Sequence, residues 1–141
     1  MSPLDFMTKR INHSESKKLI LKSFKDSRSE HKVFHEYWEV QIFAASVAFQ
    51  RNVSSKLTAV SGSSIDFITF GGTMWPGCLN AMALVKEEKP DVLNSDFEDS
   101  RIRIFEEYAD AGLDILNDDA VHEMSVIQLA DYILEMTEGD L

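Results

Sequence analysis

The stretch FEDSRIRIFEEYADAGLDILN, residues 97–117, decides the fold. At about 100° of rotation per residue, Phe97, Ile104, Tyr108, Ala111 and Ile115 share one helical stripe, flanked by Phe105, Gly112 and Leu116. Asp99, Glu106, Asp110 and Asp114 fall on the opposite side. The apolar period is that of a helix and not of a strand. Ser95 and Glu98 have the spacing of a capping box just ahead of it. The pattern predicts a helix from Asp96 to about Asn117, with a core face and a carboxylate wall.

Working outward, Ser125 and Gln128 form another capping box, with Met124 and Leu129 at staple positions, and a last helix is expected to run to about Thr137. Before the central stretch, CLNAMALVKEEK follows Pro76 and stops short of Pro90, which restricts Lys89; this reads as a helix. IDFITF, residues 65–70, reads as a short strand or an extended plug ended by Gly71-Gly72. A lone strand needs a pairing segment.

In HKVFHEYWEVQIFAASVAFQ, residues 31–50, Phe34, Trp38, Ile42, Ala45 and Phe49 keep helical spacing. Ser27 and Glu30 would cap this helix, placing its start near Ser29. It is apolar on most sides, so it belongs at the centre. Ala44, Ala45, Ser46 and Ala48 are small enough to let a neighbouring helix approach closely. A first, short helix is expected after the Asn12–Glu15 box with Ile11 as staple. Leu19, Ile20 and Phe24 would face inward, and Lys17, Lys18, Lys22 and Lys25 outward. The fold predicted is mainly α, a compact bundle of about five helices with at most one or two short strands. Residues 1–10 read as a flexible arm, 11–138 as a single helical domain and 139–141 as a tail.

Charge is divided along the chain. Residues 1–56 hold ten Lys/Arg and six Asp/Glu, while residues 57–141 hold four and eighteen. The two halves could attract each other, another copy or different partners. A hydrophobic fraction of 44% excludes a wholly disordered chain. The single cysteine, Cys78, excludes an intramolecular disulfide framework. The absence of a signal-type apolar run then points to the cytoplasm, with no membrane span.

No residue pattern signals catalysis, a cofactor or a metal. Ser54, Ser55, Ser61, Ser63 and Ser64 lack the strand–turn–helix setting of a nucleophile. His31 and His35 stand four apart but lack the H-E-x-x-H pattern, and a third ligand would have to come from Glu39, Cys78 or His122. Cys78 reads as a small apolar side chain. Neither Ser61-Gly62-Ser63-Ser64 nor Gly71-Gly72-Thr73 matches a phosphate loop. Two surfaces remain. Asp99, Glu106, Asp110 and Asp114 offer a docking face for a basic partner. Lys17, Lys18, Lys22 and Lys25 offer a modest contact for nucleic acid.

The block FEDSRIRIFEEYADAGLDIL, residues 97–116, resembles the hallmark region of a small family found beside DNA phosphorothioation (Dnd) gene clusters, the fourth of the Dnd system-associated proteins. The order of blocks is similar too: a basic first segment, VQIFAASVAFQRN at 40–52, IDFITF, NAMALVKEEKPDVL at 80–93, then IFEEYADAGLDIL at 104–116. The family usually carries Asn-Gly or Gly-Gly near YADAGL; here Asp110, Ala111 and Gly112 stand there. The resemblance implies a role in sulfur-based DNA modification or in restriction of unmodified DNA, a phage-defence setting, and brings no catalytic residues. The function expected is a non-enzymatic accessory or regulatory subunit docking on a larger protein of such a system, with a weak DNA contact. Alternatives are a small DNA-binding regulator using the basic helix, a DNA mimic and a metal-dependent nuclease. The apolar surface of 34–50 also suggests a homodimer.

Overall fold

The computed structural model describes residues 9–26, 33–61, 64–66 and 75–138. Five α-helices are found among them: α1, Lys18–Lys25; α2, Tyr37–Gln50; α3, Trp75–Glu87; α4, Glu98–Asp118; and α5, Val126–Glu138. Two short strands, β1 (Arg10–Ile11) and β2 (Ile65–Asp66), pair antiparallel with Arg10 opposite Asp66 and Ile11 opposite Ile65. The fold is mainly α, as the sequence predicts. The partner that IDFITF needs is the N-terminal segment; residues 67–70 lie outside the described residues. So do residues 1–8 of the expected arm and the tail at 139–141, whereas Arg10 belongs to β1.

Several boundaries differ from the sequence reading. Ile11 lies in β1 and Asn12 caps nothing; a 3-10 turn, Glu15–Lys17, leads instead into α1. Leu19 is 76% exposed while Leu21 and Phe24 are buried. Leu19 and Leu21 sit about 200° apart on a helix, so both cannot face inward. The helix expected from Ser29 starts at Tyr37, where the Glu39 carboxylate accepts the backbone N–H groups of His35 and Glu36. The Ser27–Glu30 box lies outside the described residues. The Ser95–Glu98 box is replaced by a 3-10 turn, Ser95–Phe97, and Phe97 is exposed. The Ser125–Gln128 box is present: Ser125 N–H donates to Gln128 Oε1 at 2.9 Å, and Gln128 N–H donates to Ser125 Oγ at 3.3 Å. Met124 and Leu129 both pack in the core beneath it.

The core is organised by α2 crossing α4. One cluster lies between α2, α3 and α4, around Phe105, Tyr108, Met82 and Ile11. The other lies between α1, α2, α4 and α5, around Leu21, Phe24, Leu113 and Leu129. Of the small residues of α2, Ala44, Ala45 and Ala48 are fully buried, together with Val47, whereas Ser46 is exposed. The sequence places this helix at the centre, and α4 shares that position. From Ile104 to Leu113 every α4 residue except Glu107 is buried, the acidic side included.

Candidate functional site

The cover over the acidic side of α4 is the chain's own N-terminal segment. Residues 10–14 are extended, so alternate backbone N–H groups point to opposite edges. On one edge the segment pairs with residues 59–61 and 65–66. Ser61 N–H donates to the His13 carbonyl at 2.9 Å, Glu15 N–H donates to the Ala59 carbonyl, and Ser14 bridges Val60. On the other edge, among the described residues, the N–H groups of Asn12 and Ser14 have no strand beside them. Two carboxylates of α4 take that place. Asn12 N–H donates to Glu106 Oε2, and Ser14 N–H donates to Asp110 Oδ1 at 3.1 Å.

The fit follows from two repeats. Four residues of helix rise about 6 Å, and two residues of strand about 6.6 Å. Carboxylates at i and i+4 can therefore meet N–H groups at j and j+2. Ser14 adds its hydroxyl, which donates to Asp110 Oδ2 and accepts the Thr58 N–H at 3.0 Å. Lys9 and Lys17 close the two ends as ion pairs with Asp99 and Asp114. Residues 9, 12, 14 and 17 thus meet 99, 106, 110 and 114 in order, running the same way.

This corrects the picture of a solvated carboxylate wall. Asp99 and Asp114 keep exposed side chains, but Glu106 is only 7% exposed and Asp110 only 1%. Backbone N–H groups cost energy when buried without acceptors, and these two acids supply the acceptors. Of the lysines, Lys17 is drawn into the clasp, while Lys18, Lys22 and Lys25 stay exposed on α1, with the Lys25 ammonium 5.1 Å from the centre of the Tyr37 ring.

Burial sets the electrostatics. It pushes the Glu106 carboxyl up to about 7; the hydrogen bonds from Asn12 oppose this, and the charges of Asp110 and Glu107 add to it. Burial also lowers the pKa of His13, against Asp110 and Glu15 and with Lys18. Neither ring nitrogen of His13 has a hydrogen-bond partner among the described residues. An open cleft of about 640 Å³ beside Glu106 is lined by Asn12, Lys56, Leu57, Val60, Arg103 and Glu107.

The remaining candidates are scattered. His35 is exposed, and His31 lies outside the described residues. Cys78 is half-buried against the first core cluster, its thiol pKa raised by burial. Among the described residues, no group of three or more His, Cys, Asp and Glu is placed to hold a metal ion. No described helix is long and apolar enough to cross a membrane.

Sequence reasoning missed Asn12 and Ser14 as donors, because both were absorbed into a capping box. It also missed Arg101. This residue is buried, and its Nη1 donates to the carbonyls of Val92 and Asn94 at 2.7 and 2.8 Å, pinning the turn ahead of α4. The available signal was its position three before Ile104 and four before Phe105, on the buried side.

Fold and site together define a small helical protein in which a basic extended segment is clasped by the acidic side of a central helix. The chain belongs to the DNA sulphur modification system-associated protein 4 family, whose model matches residues 10–138. The resemblance carried by residues 97–116 therefore extends over most of the chain. No curated protein and no solved structure matches it.

Proposed function

We propose that the protein is a non-enzymatic accessory subunit of a DNA phosphorothioation-linked modification or restriction system, acting in the cytoplasm by docking on a larger protein of that system. The family match supplies the setting. The observation that carries the reading is the use made of Glu106 and Asp110. These acids spend their oxygens on the N–H groups of Asn12 and Ser14, which is structural work. Asp99 and Asp114 flank them with exposed carboxylates and form the acidic docking face for a basic surface. Glu106 and Asp110 serve that face from beneath, by holding the segment that carries Lys9 and Lys17.

A second reading is a weak DNA contact through Lys18, Lys22 and Lys25, favoured by their exposure along one short helix. The docking reading is tested by co-expressing the tagged chain with its phosphorothioation gene cluster and identifying what co-purifies. Recovery of a protein of that system, reduced for the D99K/D114K variant, is expected. Empty capture, or DNA cleavage by the purified chain alone, overturns it. Gel shifts at low salt with the wild type and the K18E/K22E/K25E variant decide the DNA contact.

A further inference from the structure

Helix α5 is apolar on two adjoining sides. Leu129, Tyr132 and Met136 face the second core cluster. Next to that seam, spanning about 120° of the helix, lie Val126, Ala130, Ile133, Leu134 and Ile127. All five are exposed, Ile127 at 76% and Leu134 at 56%. Beyond them come Asp131, Glu135 and Glu138, also exposed. The helix is firmly held: the Tyr132 hydroxyl donates to Asp119 Oδ2 at 2.8 Å, and Gln50 Nε2 donates to the Met136 carbonyl at 3.4 Å. A fixed helix therefore presents an uncovered apolar stripe with acid along one border. Contiguous exposed apolar surface of this kind marks interaction sites.

We propose that this stripe receives an amphipathic helix of a partner protein, apolar on one side and bordered by Lys and Arg. The inference rests on the docking reading above and adds a second surface to it. The charge selects the occupant. Residues 117–141 contain seven Asp/Glu and no Lys/Arg. Arg51 pairs with Asp119 at the base of α5, so a basic border on the incoming helix meets Asp131, Glu135 and Glu138, beside which the segment itself brings no Lys or Arg. A second copy fits poorly, because each copy brings a formal charge of −10. Antiparallel twofold packing of two α5 helices would also set the acidic borders side by side. An anionic lipid surface is repelled by the same border.

The probe is a fluorescein-labelled Leu/Lys amphipathic helical peptide of about five turns, titrated against the full chain by anisotropy. Controls are a Leu/Glu helix and a Leu/Lys peptide scrambled so that its leucines form no stripe. Saturable binding of the first peptide alone is expected, weakening about tenfold or more for I127S/L134S and for D131K/E135K. Equal binding by wild type and variants, or by the scrambled peptide, overturns the proposal. So does a wild-type dimer in light scattering that I127S/L134S converts to monomer, which assigns the stripe to a second copy. Thermal melting checks folding, and D131K/E135K changes only exposed charges should the apolar variant unfold. Capture of the same phosphorothioation-system protein by wild type and I127S/L134S alike removes the α5 site and leaves the docking reading standing.

Discussion

Gly112 of α4 lies backbone to backbone against Ala44 of α2, so that a Cβ on Gly112 would overlap the Ala44 carbonyl. Both residues are buried where the two helices cross. Glycine within a helix costs about 1 kcal/mol relative to alanine, and here close approach of the two backbones offsets that cost. Gly112→Ala is expected to destabilise the fold by about 1–3 kcal/mol or more, since backbone must move to admit the methyl group. Gly77 is the control: a Cβ there meets nothing within 4 Å. Gly77→Ala is expected to be neutral or to stabilise by up to about 1 kcal/mol. Urea unfolding of the two variants checks this, and equal shifts would remove the close approach as a determinant of the fold.

Asp110 holds Ser14 through both the backbone N–H and the hydroxyl. Asp110→Ala would leave a buried N–H without an acceptor, at a cost of about 1–3 kcal/mol. The outer ion pairs, Lys9–Asp99 and Lys17–Asp114, have exposed carboxylates, and breaking either is expected to cost under about 1 kcal/mol. Hydrogen exchange at the Ser14 amide separates the two cases. It should rise steeply in Asp110→Ala and little in Asp99→Ala.

The helices were legible because their signals are local. Ser125 and Gln128 cap α5 as their spacing requires, and the apolar stripe of 104–116 fixes α4 within two residues. The clasp was not legible, because it joins residues far apart in sequence. Glu106 and Asp110 lie opposite an apolar stripe, a position that is solvated unless another segment covers it. Nothing in FEEYADAGL tells which. Asn12 and Ser14 suited a helix cap equally well, and the competing role as strand-edge donors depends on a pairing with residues 59–61 and 65–66 that no local pattern announces. The split of charge between the halves was the one sequence-level sign that they meet.

Among the described residues, three helices are followed by residues with positive φ, and none of these is glycine: Asn52 follows α2, Glu88 follows α3 and Ala120 follows α4. Asparagine tolerates this conformation; alanine gains nothing from it and pays the Cβ clash with its carbonyl. At Ala120, φ is 53° and ψ is 38°. Ala120→Gly relieves that clash and is expected to raise stability by about 1 kcal/mol, less the added entropy of the unfolded chain. The rise in melting temperature measures it; an unchanged or lower value would show that the Ala120 methyl contributes packing worth as much.

Glu106 makes the clasp sensitive to pH. Its folded pKa is raised from 4.5 to about 7, chiefly by burial. The folded chain therefore binds this proton more tightly than the unfolded chain does. The associated stability is fully present below about pH 4.5 and is lost as pH rises through about 7, an upper bound of about 3 kcal/mol. His13, on the same segment, acts in the opposite sense. Its pKa is lowered from 6.5 by burial, so its contribution is present above that value and is lost as pH falls through the lowered one. Segment 10–15 is thus held best in mildly acidic solution, where Glu106 is protonated and His13 is neutral. Glu106→Gln keeps an acceptor for the Asn12 N–H and removes the titration. The variant should match the wild type near about pH 5 and exceed it in stability near about pH 8. Unfolding midpoints across that range check the claim, and parallel profiles for the two proteins would refute it.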